Sequence, residues 1–67
     1  MIAIQVNGES RTAAESTTLL ALIESLGVKP ATVAAQHNDR IVDRGSLGDI
    51  TLAEGDVVEL IRIVGGG

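Results

Sequence analysis

An alternating segment, Ile2, Ile4 and Val6 set between Ala3 and Gln5, runs straight into Asn7-Gly8. That junction commits the chain to open as a β-hairpin. Alternation of period two marks a half-buried strand, and Asn-Gly readily takes positive φ at both positions of a two-residue turn. Glu9-Ser10-Arg11-Thr12-Ala13 then returns as the second strand. Ser16, Thr17 or Thr18 can cap the next element. Leu19, Leu22, Ile23 and Leu26 follow at i, i+3, i+4 and i+7, one face of a helix, and Leu20 widens the stripe. Gly27 stands where a left-handed C-terminal residue is wanted, and Pro30 forbids continuation. The spacing predicts one helix of about two to three turns.

Thr32 to Gln36 reads as a third strand, through Val33 and Ala35. His37-Asn38-Asp39-Arg40 reads as a turn, since Asn and Asp favour tight reversals, and Ile41-Val42 as a short fourth strand. Asp43 to Ile50 is irregular, broken by Gly45 and Gly48, with Leu47 and Ile50 plugging the core from a short helical turn. Ala53-Glu54-Gly55-Asp56 is another turn, and Val57 to Val64 the last and longest strand. A helix between hairpins can bring a later strand back in parallel. The expected solution is an α+β fold, a mixed sheet with one helix packed on one face. One domain over residues 1–64 and a flexible glycine tail over 65–67 are expected.

With 67 residues there is room for one domain, and such a chain buries only about 60% of its unfolded surface. It has no Phe, Trp or Tyr, so Ile, Leu, Val and Ala must build the core. It has no cysteine, which removes disulfides, thiol nucleophiles and thiolate metal sites. Without aromatics to stack bases, and at a formal net charge of -4, the chain is not a nucleic-acid binder. An acidic carrier would instead be steered to a basic partner surface. No stretch approaches the roughly 20 apolar residues of a membrane span, and no basic region precedes an apolar run at the N-terminus. A cytoplasmic chain, a monomer when free, is expected.

The sequence closes on Val64-Gly65-Gly66-Gly67. Glycine is costly to order and adds nothing to a core, so the run makes sense as an arm that lies in a slot too narrow for side chains. Extended, Val64 to Gly67 reaches roughly 10–13 Å. The group delivered is the α-carboxylate of Gly67, a substrate for adenylation. Along the last strand, side chains alternate faces: Val58 and Leu60 point to the core, while Val57, Glu59, Ile61 and Ile63 share the other face. Exposed Ile61 and Ile63 beside the arm suggest a docking patch.

Other candidates are weaker. His37 is the only histidine, and a metal site needs several converging ligands, so it reads as a surface turn residue. The nine carboxylates are scattered through turns with no His or Ser partner for acid–base work. Glu54-Gly55-Asp56 lacks the ligand density of a calcium loop.

The ordered set of pieces resembles the bacterial sulfur carrier proteins of thiamin biosynthesis (the ThiS family), which have the ubiquitin-like β-grasp fold. The pieces are the Ile-rich strand ending in Asn7-Gly8, the helix ending in Leu26-Gly27, and Val33-Ala34 leading to Asn38-Asp39-Arg40-Ile41-Val42. Glu54-Gly55-Asp56-Val57-Val58-Glu59-Leu60 and the closing Val64-Gly65-Gly66-Gly67 complete it. The likeness spans essentially the whole chain. It departs where Val42 is followed by Asp43 instead of a proline before a basic residue such as Arg44, and where the irregular segment lacks an aromatic.

The resemblance implies a carrier that is not itself an enzyme and binds no cofactor or metal. A ubiquitin-activating-type enzyme would use ATP to adenylate the Gly67 carboxylate. A sulfur-donating enzyme would convert the adenylate to a thiocarboxylate, and thiazole synthase would take the sulfur. Gly65 and Gly66 would thread the partner's channel, with Ile61, Arg62, Ile63 and Val64 at its rim. Relatives serving other pathways share fold and ending: the small subunit of molybdopterin synthase, or carriers for cysteine or methionine synthesis. A ubiquitin-like interaction module with an inert tail is the remaining alternative.

Overall fold

A computed structural model describes residues 1–63. Its elements are β1 (Ile2–Val6), β2 (Glu9–Ala13), α1 (Leu19–Ser25), β3 (Val33–His37), β4 (Arg40–Val42) and β5 (Val57–Arg62). Short 3-10 turns lie at Pro30–Thr32 and Arg44–Asp49. The five strands form one sheet in the order β2-β1-β5-β3-β4. β1 and β5 run parallel and every other pair is antiparallel. The last strand of the chain is thus inserted at the centre of the sheet.

The local devices are those expected of the residues. Asn7 and Gly8 take φ of 51° and 82° in the β1–β2 turn. Thr18 caps α1, its hydroxyl oxygen accepting from the Ala21 N–H at 3.1 Å. At the other end Gly27, at φ 76°, carries the chain out of the helix. Its N–H donates to the Glu24 carbonyl and the Val28 N–H to that of Ile23, the pair of bonds that satisfies carbonyls left open by a helix end.

One face of α1 covers one face of the sheet. Ile4, Leu19, Ile23 and Val58 are almost wholly buried, joined by Val6, Leu22, Ala35, Leu47 and Leu52. The segment after β4 closes the open side of this core. Leu47 enters it from the Arg44–Asp49 turn, and Leu52, not singled out in the sequence, enters beside it. Ile50 is only partly buried against this core, and its carbonyl accepts from the Leu19 N–H at 2.9 Å, which ties the segment to the start of α1. Leu60 is also only half-buried. α1 ends at Ser25 and leaves that end of the sheet uncovered.

Three boundaries differ from the sequence reading. β3 begins at Val33, because Pro30–Thr32 forms a helical turn, and it continues through His37. The reversal after it is confined to Asn38 and Asp39, both at positive φ (50° and 70°), so His37 and Arg40 are paired strand residues and not part of the turn. β5 ends at Arg62.

Candidate functional site

β5 leads the chain toward its final residues, and its pairing decides which side chains surround that exit. β3 pairs along its whole length, from Val33 opposite Arg62 to His37 opposite Val58, and the Ile63 N–H extends the pairing with a 2.9 Å bond to the Thr32 carbonyl. Val58 is buried under α1, so alternation sends Leu60 and Arg62 to the helix side and Val57, Glu59, Ile61 and Ile63 to the opposite face. That outer face is open: Ile61 is 51% exposed and Ile63 48%. Ile41 joins them, 76% exposed and set on the same face by its pairing with Gln36, which in turn pairs with Glu59. Nothing in a three-residue strand marks Ile41 in the sequence. Only the β3–β4 pairing brings it to the patch.

The structure separates the named rim residues. Ile61 and Ile63 lie on the outer face. Arg62 lies on the other, lining a cleft with Asn7, Arg11, Leu26, Val28 and Leu60 where α1 has stopped. A second cleft adjoins it, shared through Val28 and Arg62 and lined also by Gly27, Lys29, Thr32 and Ile63, so that Ile63 borders this side as well as the outer face while Ile61 does not. The remaining predicted site residues, Val64, Gly65, Gly66 and Gly67, lie outside the described residues.

At the opposite end of β5 sits a polar cluster that the sequence did not reveal. Asp56 is nearly buried. Its carboxylate accepts from the Ala53 N–H at 2.9 Å and from Asn38 Nδ2 at 3.1 Å, and His37 Nε2 lies 2.7 Å away. Asn38 Oδ1 accepts the Val57 N–H at 2.9 Å. His37 is therefore a partly buried partner of Asp56, not a loose surface turn residue. The cluster fastens the β3–β4 turn to the turn that opens β5, and a span of 19 residues between His37 and Asp56 hides it from any local motif. Among the described residues no group of three His, Cys, Asp or Glu side chains could hold a metal ion, and no helix is long and apolar enough to cross a membrane.

Comparison with known proteins assigns the fold to a family. The family model described as "ThiS family" matches residues 4–67. This chain belongs to the ThiS family. Its sheet and helix superpose on the crystal structure of a ThiS thiamine biosynthesis protein from Geobacter metallireducens with a TM-score of 0.85, at 30% identity, covering 98% of this chain and 100% of that one. The solution structure of a thiamine biosynthesis protein from the same organism gives 0.78 at 32% identity, covering 98% and 88%. ThiS proteins are small sulfur carriers of β-grasp fold, not enzymes. Among curated relatives, thiazole synthase of Magnetococcus marinus is 41% identical over 64 residues, and that of Paramagnetospirillum magneticum 37% over 62. These cover 96% and 92% of this chain but 20% and 19% of the relatives, so this chain spans about a fifth of their length.

Proposed function

We propose that this ThiS-family chain carries sulfur for thiazole formation through a thiocarboxylate at Gly67. A ubiquitin-activating-type enzyme binds the chain and ATP. A Gly67 carboxylate oxygen attacks the α-phosphorus, diphosphate leaves, and an acyl adenylate forms. A nucleophile at the oxidation level of sulfide, supplied by a sulfur-donating enzyme, then attacks the acyl carbon. AMP departs with one of the original carboxylate oxygens, leaving the thiocarboxylate that thiazole synthase consumes. The chain contributes presentation only: Gly65 and Gly66 allow close backbone approach in a channel, and the outer face with Ile61 and Ile63 holds the body at its mouth. ATP is the activating enzyme's substrate, not a resident cofactor.

The observation that carries this reading is the match to the ThiS family through residue 67. The thiazole synthase relatives favour the thiazole pathway over molybdopterin, cysteine or methionine synthesis. The test is the intact mass after incubation with ATP, the adenylating enzyme and a sulfide source. The expected result is the shift of one oxygen replaced by sulfur, localised to Gly67. Loss of that shift on deleting Gly66-Gly67, with the melting temperature unchanged, is also expected. An unshifted mass with a demonstrably active enzyme would refute the carrier reading.

A further inference from the structure

Among the described residues, the edge of β5 that faces β1 is left open at Arg62, the last residue of the strand. Odd-numbered residues of β5 address β3, as the Asn38 N–H bond to the Val57 carbonyl and the Ile63 N–H bond to Thr32 show. Even-numbered ones address β1. The Asp56 carbonyl accepts from the Gln5 N–H and the Val58 carbonyl from that of Asn7, both at 3.0 Å. Both peptide groups of Leu60 are met by the Asn7 side chain. Arg62 is the next even residue, and β1 has by then turned through Asn7-Gly8 into β2. Among the described residues nothing continues the ladder on that side.

We propose that this slot receives an extended strand of thiazole synthase, which adds to the sheet beside Arg62 beyond the end of β1. The inference rests on the sulfur-carrier reading and goes further by naming the mode of docking. The backbone complement of an unpaired N–H and C=O on a strand edge is another extended strand. The slot opens on the helix side over the cleft floored by Leu26, Val28, Val33 and Leu60, which accepts an inward-facing side chain of the added strand. Charge selects that strand. Arg11, Lys29 and Arg62 line the two adjoining clefts, three of the five basic residues in a chain of net charge -4, and Glu9 is the one acidic side chain there. The added strand therefore carries an acidic side chain.

Amide hydrogen exchange by NMR on the full chain, alone and with thiazole synthase of the same organism, tests this. In the free chain the Leu60 and Ile63 amides exchange slowly and that of Arg62 fast; in the complex Arg62 becomes protected. Arg62→Pro removes a donor that β3 does not use and also fixes φ at position 62; with its β3-paired amides as protected as in the parent, it weakens the complex roughly three- to tenfold relative to Arg62→Ala, which keeps the N–H and equally lacks the charge. A complex in which Arg62 exchanges as in the free chain means docking elsewhere and overturns the proposal. So does protection of Arg62 in the free chain, which would place the chain's own residues or, if concentration-dependent, a second copy in the slot. Absence of any complex, in a sample that does acquire sulfur at Gly67, overturns strand addition and leaves the carrier function standing.

Discussion

The side chain of Asn7 pairs with the backbone of Leu60 as a neighbouring strand would. Its Oδ1 accepts the Leu60 N–H at 2.8 Å and its Nδ2 faces the Leu60 carbonyl at 3.4 Å. The same residue sits at φ 51° in the β1–β2 turn. Asparagine meets both demands, because it tolerates the left-handed region and its side chain has the donor and acceptor of a peptide group. The turn residue of the first hairpin thereby helps hold the last strand.

Replacing Asn7 by Gly keeps the turn and removes the paired bonds. The expected cost is about 0.5–1.5 kcal/mol, the net contribution of a typical intramolecular hydrogen bond, because the site is exposed to water. For a domain of this size that lowers the melting temperature by roughly 4–8 °C per kcal/mol, measurable by calorimetry. An unchanged melting temperature would mean that the side-chain amide adds nothing to the sheet.

Acid should loosen the start of β5. Burial pushes the Asp56 carboxyl upward, but hydrogen bonds from His37, the Ala53 N–H and Asn38, with the charge of His37, outweigh it and hold the group below its ordinary value. A depressed carboxylate contributes stability that is fully present above the unfolded value, about 3.9. That contribution is lost as pH falls through the folded one. Urea midpoints measured between pH 2 and 6 should fall over the acid limb, and Asp56→Ala should flatten that fall. Parallel curves for the two proteins would exclude Asp56 as the source.

Burial ranks the core residues. Ile23, which is fully buried under the sheet, should cost about 2–5 kcal/mol when cut to Ala. Leu60→Ala should cost less, because the helix stops short of it. Denaturant titration of the two variants gives the order directly, and an equal loss would show that the uncovered end of the sheet is as tightly packed as its centre.

On the outer face the expectation reverses. Ile61→Glu and Ile41→Glu alter exposed side chains and should leave stability within about 0.5 kcal/mol. Both should slow sulfur loading of Gly67 if the patch docks an activating enzyme. Loading at the parent rate by both variants would exclude this face as the docking surface.

Local chemistry made much of this molecule legible. The Asn7-Gly8 turn, the Leu19–Leu22–Ile23 stripe and the Gly27 exit each depend on residues within a few positions of one another, and each is found where their periodicity and turn preferences put it, while of the three caps open in the sequence, Ser16, Thr17 and Thr18, the structure uses Thr18. The outward Ile61 and Ile63 were readable for the same reason, since strand alternation is local. Tertiary structure alone decided what depends on distant pairing. It inserted β5 between β1 and β3, joined His37 to Asp56 across 19 residues, and brought Ile41 onto the face of Ile61. It also set Asn7 against Leu60, 53 residues away, and, among the described residues, left Arg62 without a neighbour on the β1 side. Side-chain periodicity specifies which face of an element is apolar; the element that meets it is chosen only when the whole chain closes around one core.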